Sequence, residues 1–171
     1  MAIYLQGLYS KATMNELILF TDGSVATDSK IGFGAYLIAP DIRLPLDLLK
    51  TFIKIRKFEN TSSTKLELQT LLWALNDIKA SGKKLVVYTD SQNIVGLEGR
   101  RSRLEKNDFK SKKNRLLNNH ELYQSFFKLV DTMNCRFVKI RGHKVSNQKD
   151  YLDKIFTLVD RASRKALRDD N

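Results

Sequence analysis

The sequence predicts an α/β fold, with a mixed five-stranded sheet flanked by helices. Two observations lead to this prediction. Five short segments have the apolar or alternating pattern of β-strands, and three longer segments repeat apolar residues at helical spacing. Their order is β-β-β-α-β-α-β-α, and strands joined by a crossover helix pair in parallel. The first three strands follow one another closely enough to form an antiparallel meander.

The first three strands are predicted at residues 16–21, 32–40 and 50–58. The run ELILFT is mostly apolar and leads directly into Asp22, as expected for a buried strand. The second run, GFGAYLIAP, begins with glycines and stops at Pro40, which cannot donate a hydrogen bond within a sheet. The third run, KTFIKIRKF, alternates charged and apolar residues, which indicates a half-exposed strand.

The remaining elements alternate between helices and strands. Apolar residues recur at helical spacing within residues 61–82, and Gly82 can end that helix. The run KLVVYT follows as the fourth strand. A helix through residues 115–133 precedes the fifth strand, CRFVKI, and a helix from about 150 to 168 closes the fold.

The composition favours one domain with a polyanionic partner. The length predicts a single domain over residues 1–171, with residues 1–14 as an extension of unknown role. The net charge of +11 favours nucleic acid, although a basic protein can also use its charge for solubility. The only cysteine, Cys135, excludes a disulfide within the chain, so we expect a reducing cytoplasm and a packed thiol. No segment reaches the roughly 18–20 apolar residues of a membrane span, so we expect no membrane association.

Two acids follow apolar strands, and each comes directly after a threonine. Asp22 lies in FTDGS and Asp90 in YTDSQ. The carboxyl ends of neighbouring strands meet at one edge of a sheet, where ligands gather. Two carboxylates held together repel unless a cation lies between them, and oxygen ligands select magnesium or manganese. The alternatives are an Asx-type turn at Asp22 and a helix cap at Asp90.

Glu67 is a third candidate acid. The segment TKLE at residues 64–67 has the pattern of a capping box, in which the glutamate folds back on the helix start. Because Leu66 and Leu68 must pack on the sheet, the Glu67 side chain can instead lie at the boundary between helix and sheet, near Asp22. Spacing alone leaves both interpretations open.

Four motifs together resemble type 1 ribonuclease H. FTDGS, STKLEL, YTDSQ and RGHK…VDRASRKA follow in the order, and roughly at the spacings, of that family, over residues 16–168. The resemblance implies a ribonuclease H-like fold and hydrolysis of the RNA strand of RNA–DNA hybrids. It also implies two divalent ions per site, Mg²⁺ or alternatively Mn²⁺, held by an Asp-Glu-Asp-Asp set. By motif, the first three acids of this set are Asp22, Glu67 and Asp90.

The fourth acid is either Asp153 or Asp160. Asp153 lies ten residues after His143, which is the common spacing in the family. The run VDRASRKAL around Asp160 fits the family's small-residue helix better, so we expect Asp160 as the ligand and Asp153 as a structural acid. The two lie seven residues apart and share a helix face, so periodicity cannot distinguish them. The resemblance implies that His143 assists catalysis without binding metal.

Residues 100–115 form a basic segment with eight Lys and Arg against two acids, a net charge of +6. The family carries a protrusion here that binds duplex backbone, and a solvated charge run is the alternative. The family's tryptophans are absent, and Phe109 is the only aromatic residue of the segment. The expected backbone contacts come from Arg100, Arg101, Arg103, Lys110, Lys112 and Lys113.

Further substrate contacts are expected from Ser24, Ser63, Thr64 and Gln92. Hydroxyl groups replace an Asn-rich stretch of the family before Glu67, and hydroxyls can still contact the 2′-hydroxyl groups of RNA. We therefore expect a metal-dependent endonuclease that acts as a monomer on RNA–DNA hybrids, without a small-molecule cofactor. The alternatives are a nuclease of the same fold acting on another substrate, such as double-stranded RNA, or a nucleic-acid-binding module without activity. A complete acidic set argues against a pure binder, because clustered negative charge repels phosphate.

Overall fold

A computed structural model describes residues 16–78, 82–141 and 145–170. Five strands form one mixed sheet, which confirms the predicted fold class. The strands are β1 (Glu16–Ala26), β2 (Ile31–Ala39), β3 (Lys54–Phe58), β4 (Lys84–Thr89) and β5 (Cys135–Lys139). Their order across the sheet is β3-β2-β1-β4-β5. The first three strands are antiparallel, and β1, β4 and β5 are parallel to one another.

The three helices predicted from periodicity are present within the described residues, with shorter bounds for the first two. The helices are α1 (Leu46–Lys50), α2 (Ser63–Asp77), α3 (Gln92–Val95), α4 (Arg101–Lys106), α5 (His120–Thr132) and α6 (Tyr151–Asp169). The short helices α1 and α4 were not predicted, because five or six residues are too few to establish a periodic pattern. A helix at the position of α3 was considered only in the alternative that Asp90 is a helix cap.

The strand predicted at residues 50–58 is wrong in its first half. Its first residue belongs to α1, which begins after Pro45, and β3 starts only at Lys54. Proline has no N–H and a fixed φ angle, so it suits the start of a helix. Leu49 is fully buried from α1, and this packing stabilises a helix that would be too short to persist alone.

The first strand is longer than predicted, and its extension determines where Asp22 lies. Pairing with β4 ends at Phe20 opposite Tyr88, whereas pairing with β2 continues to Ala26. Asp22 therefore lies within a strand, two residues beyond the parallel part of the sheet. Side chains alternate between the two faces of a strand, so Asp22 lies on the same face as Phe20.

The two faces of the sheet are covered by different helices. Leu19 belongs to the core cluster that packs with α2 and α5, whereas Phe20 packs with Ile155 and Val159 of α6. Because Asp22 shares the face of Phe20, its side chain is directed to the α6 side of the sheet. Half-buried Cys135 packs against the first cluster. Burial raises the pKa of its thiol to about 11, which is consistent with the expected role as a packed, uncharged side chain.

Small residues bring α2 close to the strands. A Cβ atom at Gly34 would lie 2.1 Å from the Thr70 hydroxyl, and one at Gly23 would lie 2.8 Å from a methyl group of Leu66. Both contacts are shorter than real Cβ contacts. A larger residue at Gly34 would push α2 away from β2, and one at Gly23 would displace the Leu66 side chain. This close approach holds the start of α2, and with it Glu67, beside the edge where Asp22 lies.

No helix among the described residues is both long and apolar enough to cross a membrane.

Candidate active site

Four acids from four elements approach one another at the edge of the sheet. Asp22 comes from β1, Glu67 from α2, Asp90 from the residue after β4, and Asp160 from the middle of α6. Asp22 interacts electrostatically with both Asp90 and Asp160, and Glu67 interacts with Asp90. Asp90 and Asp160 also line one small pocket of about 70 Å³. We call Asp22, Glu67, Asp90 and Asp160 the four-acid site.

Asp22 is the most perturbed member of the four-acid site. Burial raises its pKa to about 8, and the negative charges of Asp90 and Asp160 contribute to the increase. A hydrogen bond from the Gly23 backbone N–H acts in the opposite direction, but it is outweighed. The Asp160 carboxyl lies beside the Asp22 carboxyl, and this contact raises the pKa of Asp22 further. With its pKa raised, Asp22 keeps its proton to a higher pH than an ordinary aspartate does when no cation is bound.

Glu67 is held by a serine rather than by its own helix. The Ser91 hydroxyl donates a hydrogen bond of 2.5 Å to Glu67 Oε2 and accepts one of 3.2 Å from the Ile94 backbone N–H. Burial raises the pKa of Glu67, the Ser91 hydrogen bond lowers it, and the Asp90 charge raises it. Ser91 thus links the Glu67 carboxyl to the start of α3.

The local structural alternatives for the first three acids are not formed. Asp22 lies in a paired strand and not in a turn. The cap of α3 is Ser91, not Asp90. Helix α2 begins after Ser62, which makes no side-chain cap hydrogen bond, and Glu67 bonds to Ser91 instead of completing a capping box. The conformations of these three acids are therefore not explained by capping or turn formation.

Asp153 and Asp160 have different environments, although sequence periodicity could not separate them. Asp153 is only 3% exposed and forms a capping box with Asp150 at the start of α6. Its carboxylate accepts a 3.0 Å hydrogen bond from the Asp150 N–H, and its own N–H donates a 2.8 Å bond to Asp150 Oδ1. Asp160 lies two turns further on, where it contacts Asp22 and accepts a 2.6 Å hydrogen bond from Arg164 Nε. Asp153 also lines the small pocket with Asp90 and Asp160. The capping box supports a structural role for Asp153 at the edge of the site, whereas the interaction with Asp22 supports membership of the site for Asp160.

Two cations beside the four-acid site were missed by sequence reasoning. Arg141 and Lys149 line the same small pocket as Asp90 and Asp160. Lys149 Nζ donates a 2.9 Å hydrogen bond to the Thr157 hydroxyl of α6, which holds the lysine against the helix. The only sequence signal for them is that both flank the polar loop that follows β5.

The residues of the four-acid site fit a hard divalent cation in their chemistry. Every donor is a carboxylate oxygen, the ligand type preferred by Mg²⁺ and Mn²⁺. Burial and the nearby negative charges of Asp90 and Asp160 raise the pKa of Asp22, and a bound cation would stabilise its charged form. Among the described residues, no three Asp, Glu, His or Cys side chains are already arranged to hold a metal. Glu67 is instead hydrogen bonded to Ser91, and Asp160 to Arg164.

The predicted auxiliary residue His143 lies outside the described residues. The predicted substrate residues near the site are all at least partly accessible. Ser63 and Thr64 are exposed in the first turn of α2, and Ser24 is half-buried on β1. Gln92 is exposed at the start of α3, where its Oε1 accepts a 2.5 Å hydrogen bond from Lys139 Nζ.

Two arginines of the basic segment are bound within the protein. The Arg100 guanidinium donates hydrogen bonds of 2.8 and 2.6 Å to the backbone and side-chain oxygens of Asn93. Arg101 forms two hydrogen bonds with Asp131 and one with Glu105, and its guanidinium lies 5.0 Å from the Phe127 ring centroid. These contacts attach the segment to α3 and α5, so Arg100 and Arg101 have a structural role that charge counting did not predict.

The remaining cations of the segment are exposed, and the segment's aromatic residue is not. An isolated bridge pairs Lys110 with Leu116 and closes a small hairpin that carries Lys112 and Lys113 in its turn. Both lysines are exposed, as is Arg103 of α4. Phe109 is 9% exposed and packs with Phe127, 6.4 Å between centroids, so it anchors the segment and does not face a ligand.

Comparisons with known proteins agree on one family. The RNase H family model matches residues 14–161. The chain is 28% identical over 145 residues to a ribonuclease H of Caldicellulosiruptor saccharolyticus, covering 83% of this chain and 94% of that protein. It is 25% identical to a ribonuclease H of Clostridium botulinum, with 83% and 93% covered. The solution structure of the PFV RNase H domain superposes with a TM-score of 0.68 at 16% identity, covering 87% of this chain and 92% of that domain. A foamy viral protease–reverse transcriptase in complex with dsDNA gives a TM-score of 0.60 at 11% identity, covering 87% and 94%.

Proposed function

The chain belongs to the ribonuclease H family, and on that premise we propose that it hydrolyses the RNA strand of RNA–DNA hybrids with divalent metal ions. The observation that carries the proposal is the four-acid site, in which four separate elements deliver oxygen ligands to one edge of the sheet. Strands and packed helices position side chains more accurately than loops do, as hydrolysis by bound metal requires.

We propose that Asp22, Glu67, Asp90 and Asp160 would hold two ions, Mg²⁺ or Mn²⁺. Such ions supply Lewis acidity, which activates water and stabilises the leaving 3′ oxygen in an in-line displacement. The chain itself keeps the ligands in reach: the Ser91 hydroxyl orients Glu67, and Arg164 restrains Asp160. Metal ligands must be deprotonated, so Asp22 has to release its proton when cations bind. Arg141 and Lys149 add positive charge beside the site, which attracts the phosphate groups of a substrate.

The proposed substrate is a duplex that contains RNA. The exposed lysines Lys112 and Lys113 offer contacts to phosphates without sequence preference. The exposed hydroxyls of Ser63 and Thr64 lie at the start of α2, four and three residues before Glu67, where they can contact a 2′-hydroxyl group. A 2′-hydroxyl distinguishes RNA from DNA, so contacts of this kind would place an RNA strand over the four-acid site.

A cleavage assay with three duplexes tests the proposal. End-labelled RNA–DNA hybrid, duplex RNA and duplex DNA are each incubated with the protein in magnesium, in manganese or in EDTA. We expect cleavage of the RNA strand of the hybrid only when a divalent metal is present, leaving 5′-phosphate and 3′-hydroxyl ends. Preferential cleavage of duplex RNA would support the alternative substrate, and tight binding without cleavage would support a silent binding module. Cleavage that persists in EDTA would exclude the proposed metal-dependent mechanism.

A further inference from the structure

We propose that a groove between α6 and β3 binds an acidic amphipathic helix of a partner protein. The groove, called here the α6–β3 groove, encloses about 750 Å³. Its floor is apolar and is formed by Ile53, Ile55, Leu158, Ala162 and Ala166. The inference is independent of the proposed nuclease activity, because the groove shares no residue with the four-acid site.

The floor has the shape expected of a helix-binding surface. Leu158, Ala162 and Ala166 follow one another at intervals of four residues, so they form one row along α6 over about 12 Å, which is two helical turns. The small alanine side chains leave a depression in this row, into which a ridge of another helix can pack. On the β3 side of the floor, Ile55 is 46% exposed, a large value for an isoleucine. Covering it would remove apolar surface from water.

The rim of the groove has a strong positive charge. Four cations, Lys50, Arg161, Lys165 and Arg168, line it together with one carboxylate, Asp169, which gives a net charge of +3. Only Lys165 of these cations has an ion-pair partner among the described residues, namely Asp169. An apolar floor with a cationic rim is complementary to a helix that has an apolar stripe flanked by Glu and Asp.

The groove lies on the far side of α6 from the four-acid site. At about 100° per residue, Leu158 and Ala162 lie about 160° around the helix from Asp160. Lys57 of β3 forms a 2.7 Å ion pair with Asp170, which directly follows α6, and this contact links the two elements that line the groove. A partner seated there would not cover the four acids, so binding and hydrolysis can occur together.

The charge distribution favours this occupant over two others. A second copy of the chain would bring an equally cationic rim against the first, and like charges repel. Lys54 and Arg56 on the exposed edge strand β3 add to this repulsion and discourage pairing of β3 with itself. A nucleic acid would meet cations at the rim, but it has no surface that matches the isoleucine, leucine and alanine floor.

A designed peptide tests the proposal on the 171-residue chain. The probe is a synthetic 16-residue helical peptide with leucines at i, i+3/i+4 and i+7 spacing and glutamates on both flanks. The matched control peptide carries lysines in place of the glutamates. Binding is followed by fluorescence anisotropy, and its location by chemical-shift changes in the ¹⁵N-labelled protein. We expect the glutamate peptide to bind, to shift the resonances of Ile55, Ala162 and Ala166, and to bind more tightly than the lysine peptide.

Two variants and a charge-matched control locate the binding. Ile55→Lys should weaken peptide binding at least about tenfold, equivalent to about 1.4 kcal/mol, because it places a charge on the apolar wall. The double variant Lys165→Glu/Arg168→Glu should weaken it similarly. Lys112→Glu/Lys113→Glu changes the net charge by the same amount at the basic segment and should leave peptide binding unchanged. Circular dichroism establishes that each variant is folded, and Ile55→Lys should retain wild-type hydrolysis.

Several results would overturn the proposal. Equal weakening by both double variants would show that binding follows net charge and not the groove. Shift changes confined to residues 100–115 or to the four-acid site would place the peptide elsewhere. Dimerisation of the free protein that Ile55→Lys abolishes would identify a second copy as the occupant. Shifts in residues 1–14 of free Ile55→Lys would identify the chain's own N-terminal segment, and tighter binding of a DNA oligonucleotide at the same resonances would identify nucleic acid.

Discussion

Replacing Asp22 with asparagine should stabilise the metal-free protein. Asp22 is partly buried beside Asp90 and Asp160, and its pKa is raised from 3.8 to about 8. The folded protein therefore binds this proton more tightly than the unfolded chain does. Between pH 4 and 8 the folded state carries more protons, so the free energy of unfolding falls as pH rises through this window. Above pH 8 the decrease in the free energy of unfolding is complete, and below pH 4 there is no decrease.

The size of the effect follows from the shift. Each unit of difference between the folded and unfolded pKa corresponds to about 1.4 kcal/mol. Because pH 7 lies about three units above the pKa of Asp22 in the unfolded chain, about three units of this difference contribute at pH 7. The upper limit of the destabilisation is thus about 4 kcal/mol. Reorientation of the neighbouring carboxylates relieves part of it, so we expect Asp22→Asn to raise the free energy of unfolding by about 2–4 kcal/mol at pH 7. Asparagine cannot ionise, so it should also flatten the dependence of stability on pH.

Urea unfolding in EDTA at pH 5, 7 and 9 measures both effects. The gain from Asp22→Asn should increase from pH 5 to pH 9, while Asp28→Asn, in an exposed turn, should change stability by less than about 0.5 kcal/mol at each pH. Magnesium should raise the melting temperature of the wild type more than that of Asp22→Asn, because a ligand that binds only the folded state stabilises it. A destabilised Asp22→Asn protein, or a gain independent of pH, would refute the reasoning.

Two further predictions concern the remaining residues of the site and the substrate surface. Asp160→Asn should reduce the rate of hybrid cleavage at least about a hundredfold, which is more than removal of a supporting residue usually costs. Asp153→Asn should stay active. The reverse result would assign the metal ligand to Asp153. Neutralising Lys112 and Lys113 should lower the slope of log affinity against log salt by about 0.9 for each phosphate that the variant no longer neutralises. Arg101→Ala should instead lower the melting temperature with little change in this slope. An unchanged slope in the lysine variant would show that Lys112 and Lys113 do not contact the phosphates of the substrate.

The long elements were predictable because their patterns repeat several times. Helices α2 and α6 show apolar residues at helical spacing over four turns or more, and β4 is a continuous apolar run. Short elements lack this redundancy, so α1 and α4 were missed. The end of β1 was misjudged for a different reason. Gly23-Ser24 resembles a turn, yet pairing with β2 carries the strand on to Ala26, and no local pattern reveals that partner.

The acids of the site could be proposed from motifs, but their environments depend on contacts between distant residues. Glu67 is oriented by Ser91, which lies 24 residues away. The basic segment shows the same limit. Charge counting treats Arg101 and Lys112 alike, although Arg101 is bonded to Asp131, which lies 30 residues away, and Lys112 faces solvent. A sequence reports the type of side chain, whereas its partners follow from the tertiary fold.

The initial rate of RNA-strand cleavage in a hybrid tests the central claim most directly. Wild type is compared in magnesium with Asp22→Asn, Glu67→Gln, Asp90→Asn and Asp160→Asn, each first shown to be folded. If the four acids act together as metal ligands, every variant should lose at least about a hundredfold in rate, beyond the 10–100-fold typical of supporting residues. A variant that keeps wild-type activity would remove its acid from the site, and wild-type protein that fails to cleave the hybrid in magnesium would contradict the proposed function.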